Sequence, residues 1–145
     1  MKVNRILAID YGTKRMGLAM SDPLGILAQR LPTIHYRQLS EALEEIGKIV
    51  SENSVSQIIV GNPISLNGAA NRTAQKAHEF SRILQEKVNL PVKLWDERLT
   101  SVQSERAMIE MGESPGRNKA KIDQLAALFL LQNYLDSRQH SKSTQ

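Results

Sequence analysis

The stretch RILAIDYGTKRMGLAMS, residues 5–21, decides the expected fold of this chain. The segment from Val3 to Asp10 is almost continuously apolar, which predicts a central strand covered on both faces. A short turn containing Gly12 then leads into residues 16–21, which predict a second strand paired back on the first. A carboxylate at the end of what is expected to be the most buried strand requires a chemical explanation.

Outward from this hairpin, the hydrophobic spacing predicts alternating strands and helices. A third strand is expected within residues 27–35, where Pro32 places part of it at a sheet edge. Helices are expected over 38–52, 70–88, about 100–112 and 121–138, and short strands over 57–60 and 92–95. The order βββαβαβαα predicts an α/β protein with a mixed five-stranded sheet, three antiparallel strands followed by parallel strands, flanked by helices. We expect one domain over residues 1–138 and a flexible tail over 139–145.

The composition excludes several kinds of site. The 145 residues include no cysteine, which excludes disulfides, thiolate metal sites and a cysteine nucleophile. The three histidines are far apart, so any metal would be held by oxygen. The longest apolar stretch, residues 125–131, is far shorter than the roughly 20 residues that span a bilayer, and we expect a cytoplasmic protein. The net charge of +4 favours a polyanionic partner such as nucleic acid.

Three carboxylates lie at the ends of predicted elements. Asp10 and Glu97 follow apolar strands, and Asp123 begins the most apolar helix, just before Ala126 and Ala127. Strand ends of such sheets face the crevice where ligands bind, so these acids could meet. Each also has an ordinary structural interpretation: Asp10 in an Asx-turn, Glu97 as an ion-pair partner of Arg98, and Asp123 as a complement to the helix dipole.

Three carboxylates in one cleft would repel each other and raise one another's pKa unless cations compensate them. Mg²⁺ and Mn²⁺ prefer oxygen ligands and retain waters, which leaves room for phosphate oxygens. A pair of such ions can activate water and stabilise the leaving oxygen in phosphodiester cleavage. A two-metal site held by Asp10, Glu97 and Asp123 is therefore one interpretation of the pattern, beside the structural interpretation of each acid.

Four segments together resemble the YqgF family, also called RuvX. They are Asp10-x-Gly12-x-x-Arg15-x-Gly17-x-Ala19, IVGNPISLNG at 59–68, DERLTS at 96–101 and DQLAALFLLQNYL at 123–135. Members of this family are described as Holliday junction resolvases and as pre-16S ribosomal RNA nucleases. The resemblance covers almost the whole chain and implies a ribonuclease H-like fold, with the family's acidic triad on Asp10, Glu97 and Asp123. It also implies a metal-dependent endonuclease that processes the 5′ end of pre-16S ribosomal RNA in ribosome biogenesis.

Basic and polar residues in or beside the loops are expected to surround the acids and contact phosphates, although each one could instead be a solvated surface residue. These candidates are Lys14, Arg15, Asn67, Arg72, Arg98, Arg117, Lys119 and Lys121. Tyr11 is a further candidate, for stacking on a base.

Three other functions remain as alternatives. Cleavage of branched DNA would require two sites in a dimer, whereas we expect a monomer or a weak dimer. A non-catalytic RNA- or ribosome-binding factor could use the same basic rim, but a phosphate binder would gain from losing three acids. The hairpin around Gly12 also resembles the phosphate loop of actin-like and sugar-kinase proteins, which need a second lobe that 145 residues cannot supply.

Overall fold

The computed structural model describes residues 4–62, 71–96 and 119–143, and their side chains over 4–61, 75–95 and 125–138. The elements, in chain order, are β1 (Arg5–Asp10), β2 (Arg15–Ser21), β3 (Ala28–His35), α1 (Leu39–Asn53), β4 (Val55–Asn62), α2 (Asn71–Val88), β5 (Val92–Asp96) and α3 (Lys119–Ser143). This order matches the prediction for the described residues. The helix expected over 100–112 lies outside them.

The five strands form one sheet in the order β3-β2-β1-β4-β5. β1 is antiparallel to β2, and β2 is antiparallel to β3, whereas β4 is parallel to both β1 and β5. The predicted mixed sheet is therefore confirmed, with β1 at its centre. Pro32, which cannot donate a backbone hydrogen bond, lies in the edge strand β3 as expected.

The sheet is covered on both faces, which explains why β1 is apolar without alternation. Leu7 and Ile9 point into a core shared with α1 and α2, whereas Ile6 and Ala8 point into a second core shared with α3. All four side chains have no solvent exposure. Successive strand residues face opposite sides, so a strand buried on both sides has no polar face.

Helix α3 is attached to the sheet at the amino end of β1. The backbone N–H of Ala28 donates to the Gln132 side chain at 3.2 Å, and the Gln57 amide donates to the Tyr134 hydroxyl at 2.9 Å. Gln57 is the pairing partner of Ile6, so these contacts mark the level of Ile6 in the sheet.

The bounds of α3 differ from the prediction because the helix runs on to Ser143, past the end of its apolar stripe. Backbone hydrogen bonds can extend a helix through polar residues, which the hydrophobic spacing does not register. The division into a domain over 1–138 and a tail over 139–145 stays a prediction. Among the described helices, none combines the length and the hydropathy needed to cross a bilayer.

Candidate active site at the carboxyl end of the central strand

Asp10 is the last residue of β1 and lies half-buried at the carboxyl end of the central strand. Asp10 pairs with Gly17 on the neighbouring strand β2, and Gly17 has no side chain. Strand alternation assigns Asp10 to the face of Ile6 and Ala8, which is the face that α3 covers. Because β1, β4 and β5 are parallel, their carboxyl ends reach this same edge of the sheet.

The turn after Asp10 is held by the end of β3. The Tyr36 hydroxyl donates a hydrogen bond to the Gly12 carbonyl, and the Tyr36 backbone N–H donates to the Lys14 carbonyl at 3.1 Å. A Cβ at Gly12 would overlap the carbonyl oxygen of Arg15, so the tight turn requires glycine at this position. The conformation of the turn beside Asp10 is therefore set by the hydrogen bonds from Tyr36 and by the absence of a side chain at Gly12.

The two tyrosines of this region stay neutral well above neutral pH. Burial, and then the Tyr11 side chain, raise the pKa of Tyr36 to about 12. Burial, and then the Glu79 carboxylate, also raise the pKa of Tyr11. Neither ring therefore adds a negative charge near Asp10 under ordinary conditions.

The Tyr11 ring does not match its proposed role in base stacking. It packs against Phe80 of α2 with the ring centroids 5.0 Å apart, as part of the core beneath α1 and α2. Residue 11 is adjacent to residue 10 in the chain, so the two side chains are directed to opposite faces. The interpretation was wrong because sequence spacing alone does not show which face receives a helix.

The two other predicted acids are described less completely. Asp123 is the fifth residue of α3, and its side chain lies outside the described ones. Glu97 directly follows β5 but lies outside the described residues. The convergence of the three acids therefore stays a prediction.

Five of the eight predicted phosphate-contacting residues lie within the described part of the chain. Lys14 is exposed in the turn after β1, and Arg15 begins β2 half-buried. Arg72 lies in the first turn of α2, and Lys119 and Lys121 lie in the first turn of α3. The remaining candidates are outside the described residues: Asn67, Arg98 and Arg117.

Two exposed residues near this edge, His35 and Arg37, were missed by the sequence analysis. His35 is the pairing partner of Arg15, and Arg37 follows Tyr36. The pairing register of β2 and β3 could have identified His35 as a neighbour of Arg15. A bulge obscures that register, because Met16 pairs with Ile34 but Leu18 pairs with Leu31.

Sequence comparison extends over nearly the whole chain. The family model for RuvX, described as Holliday junction resolvase, matches residues 4–137. A protein of Clostridium novyi is 41% identical over 133 residues, which cover 92% of this chain and 98% of that protein. A protein of Acetivibrio thermocellus is 44% identical over 136 residues, which cover 92% of this chain and 96% of that protein. Both relatives bear the name "Putative pre-16S rRNA nuclease".

Two solved structures with similar folds are resolvases. The T. thermophilus RuvC in complex with a Holliday junction substrate superposes with a TM-score of 0.61 at 14% identity, covering 95% of this chain and 97% of RuvC. The fowlpox virus Holliday junction resolvase has a TM-score of 0.53 at 15% identity, covering 92% and 99% of the two chains. At these identities the likeness establishes the ribonuclease H-like fold. The family match and the two relatives show that the chain belongs to the RuvX family and is a nuclease, a hydrolase of phosphodiester bonds.

Proposed function

We propose that the protein is a divalent-metal-dependent endonuclease that processes the 5′ end of pre-16S ribosomal RNA in the cytoplasm, with Asp10, Glu97 and Asp123 as its catalytic acids. The observation that carries this proposal is the position of Asp10 at the carboxyl end of the central strand, on the face covered by α3. The choice of RNA follows the name carried by both curated relatives.

The path of α3 supports a meeting of Asp123 with Asp10. Contacts around residue 133 lie at the level of Ile6, and Leu125 and Ala127 are buried, so the amino-terminal half of the helix lies over the sheet. Ten residues of helix from 133 back to 123 span about 15 Å, and four residues of strand from Ile6 to Asp10 span about 13 Å. If α3 runs antiparallel to β1, these lengths bring position 123 to the level of Asp10.

The path of β5 supports the inclusion of Glu97. Asp96, its immediate predecessor, pairs with Asn62 at the end of β4, so the chain reaches the edge where β1 ends. Two strand spacings separate β5 from β1, a lateral distance of about 10 Å. Carboxylate side chains that extend from both strands toward a common ion can close such a distance.

The donor set suits a hard divalent cation. Asp10, Glu97 and Asp123 would hold Mg²⁺ or Mn²⁺ through carboxylate oxygens, which are the ligands that these ions prefer. When bound, a pair of such ions would supply a nucleophilic water at neutral pH and charge stabilisation for the leaving oxygen.

The other residues of this edge would position the substrate. Gly17 presents no side chain beside Asp10, which leaves space on that face of the sheet. Lys14 and Arg15 border the space, and we propose that they contact substrate phosphates together with Arg72, Lys119 and Lys121. We also assign phosphate or backbone contacts to the remaining sequence candidates: Asn67, Arg98 and Arg117.

Cleavage of a four-way DNA junction is the second candidate function. It is favoured by the description of the family and by the fold shared with RuvC and the fowlpox virus resolvase. Both functions use the same acids and differ in substrate. We expect the protein to act as a monomer or weak dimer, which favours RNA processing over symmetric cleavage of a junction.

The decisive experiment compares purified wild-type protein with Asp10→Asn on labelled precursor RNA and on a synthetic four-way junction, with and without Mn²⁺. We expect Mn²⁺-dependent cleavage of the RNA by the wild type and loss of at least about a hundredfold in rate for Asp10→Asn. Asp136→Asn is the matched control, because Asp136 is exposed in the carboxyl-terminal half of α3. The amide oxygen that the substitution introduces can still accept the hydrogen bond from the Gln132 side chain. Full cleavage by Asp10→Asn would reject the mechanism, and cleavage of the junction alone would establish the second function.

A further inference from the structure

The β2–β3 hairpin carries an uneven charge. Between residues 11 and 37 the basic side chains are Lys14, Arg15, Arg30 and Arg37, and the one acid is Asp22. Asp22 lies in the loop at the far end of the hairpin, where its carboxylate accepts hydrogen bonds from the backbone N–H groups of Ile26 and Leu27. These contacts are with neutral amides, so the acid neutralises none of the hairpin's cations by direct contact.

The pairing register aligns these cations with the edge of the sheet that contains Asp10. Gly17 pairs with Asp10, and Arg15, two residues away on the same strand, pairs with His35. Strand alternation therefore assigns Asp10, Arg15 and His35 to one face. Two strand spacings and two residues of rise separate Asp10 from His35, a distance of about 12 Å between Cα atoms.

The same face continues along the outer strand. Arg30 pairs with Ala19, and Ala19 pairs with Ala8, whose side chain points to the α3 side. Lys14, Arg30, His35 and Arg37 are all exposed. A line of basic residues thus runs from the turn beside Asp10 along β3, the outer strand of the sheet that the described residues form.

We propose that this line, formed by Lys14, Arg15, Arg30, His35 and Arg37 and here called the hairpin track, binds the phosphates of a single strand of nucleic acid that leads away from the scissile bond. The proposal rests on the proposed function for the location of that bond. Guanidinium groups recognise phosphate oxygens through two parallel hydrogen bonds, which suits such a strand.

Features of β3 favour a nucleic acid over a protein strand at this edge. Pro32 lacks a backbone N–H, so a polypeptide that added to β3 would meet an interrupted ladder. β3 contains no Phe, Tyr or Trp to stack on bases. The hairpin track would therefore read phosphates and not base identity, and its binding should be independent of sequence.

The test uses two triple variants that each replace two cationic side chains and one histidine by glutamine. The track variant is Arg30→Gln, His35→Gln and Arg37→Gln, and the control variant is Lys48→Gln, His78→Gln and Arg82→Gln on α1 and α2. All six side chains are exposed, so both variants should fold as the wild type does, which thermal unfolding verifies. Binding of single-stranded RNA is measured against salt concentration at neutral pH, with a chelator present so that cleavage does not contribute.

We expect the salt dependence of binding, as a log-log slope, to become shallower by about 1.4 for the track variant, which corresponds to two lost cationic contacts at about 0.7 each. The control variant should keep the wild-type slope. In cleavage assays with Mn²⁺, the track variant should raise KM and leave kcat unchanged.

Equal slopes for the two triple variants would overturn the hairpin track. The proposal would also be overturned if an acidic peptide bound through the track residues while RNA binding did not depend on them. Because the binding measurement needs no catalysis, it also separates failure of the track from failure of the acidic site. An Asp10→Asn protein that still cleaves RNA would reject the site, while the slope comparison would still decide the track.

Discussion

Tyr36 links the turn beside Asp10 to the end of β3 through both its side chain and its backbone. Its hydroxyl donates to the Gly12 carbonyl, and its N–H donates to the Lys14 carbonyl. The sequence separation of 24 residues between Tyr36 and Gly12 makes this a tertiary contact. The turn that follows the proposed catalytic carboxylate is therefore held by a residue from a different part of the chain.

Removal of the Tyr36 hydroxyl tests this link. We expect Tyr36→Phe to lower the free energy of unfolding by about 1 kcal/mol, because the partly buried Gly12 carbonyl loses its donor. Cleavage should also fall, since the turn that follows Asp10 becomes less constrained. Urea unfolding together with cleavage rates would check both effects, and an unchanged midpoint would show that the hydrogen bond contributes nothing to stability.

The pKa of Tyr36 leads to a separate expectation at alkaline pH. Its folded pKa of about 12 lies above the value near 10 for an unfolded tyrosine, so the folded state holds this proton more tightly. The associated stability is fully present below about pH 10 and is lost as pH rises toward 12. Phenolate absorbance should show a transition near pH 12 that is missing from Tyr36→Phe; a normal midpoint for all three tyrosines would contradict it.

At the scale of elements, α2 is attached to the sheet through an aromatic residue, Phe80. Ala77, Ser81 and Leu84 recur at helical spacing and form a buried stripe along α2. Phe80, only 1% exposed, fills the same core and contacts the Tyr11 ring. A position adjacent to the stripe thus supplies the largest side chain of the contact.

Truncation of this side chain should be costly. We expect Phe80→Ala to lower the free energy of unfolding by about 3–5 kcal/mol, because it removes a buried ring and leaves a cavity beneath Tyr11. Glu86→Ala on the exposed side of α2 is the control and should change stability by less than about 0.5 kcal/mol. Equal unfolding midpoints for the two variants in urea would show that α2 is held by other contacts.

For the whole molecule, the proposed acidic site would couple stability to metal binding. Carboxylates brought together without cations repel, and an ion that binds only the folded state stabilises it more as its concentration rises. The groups that the proposed chemistry requires would therefore destabilise the metal-free protein. This coupling gives a readout of the site that does not depend on the correct substrate.

Thermal unfolding in increasing Mn²⁺ measures this coupling. We expect Mn²⁺ to raise Tm, with a stabilisation of about 2.7 kcal/mol at a concentration one hundred times Kd. Asp10→Asn should lose most of this rise and, in chelator, unfold at a temperature equal to or slightly above that of the wild type. An identical Tm response in wild type and Asp10→Asn would show that Mn²⁺ binds elsewhere.

Much of the candidate site was predictable because its signals are local. Asp10 closes an apolar run and precedes a glycine turn, and both features are read within ten residues. The role of Tyr11 was predicted wrongly, and His35 was missed, because the face of a side chain and the register of a hairpin depend on distant residues. The bulge between Met16 and Leu18 changes that register without a clear mark in the sequence.

The sequence by itself determined the kinds of element and their order in the described part of the chain, since hydrophobic period depends on each segment's own residues. It also determined the family, through motifs spread from residue 10 to residue 135. Only the tertiary structure decided that Asp10 faces α3 while Tyr11 faces α2, and that Arg15 and His35 are neighbours. Those outcomes follow from packing and pairing between segments far apart in the chain, where the free energy belongs to the contact and not to either segment alone.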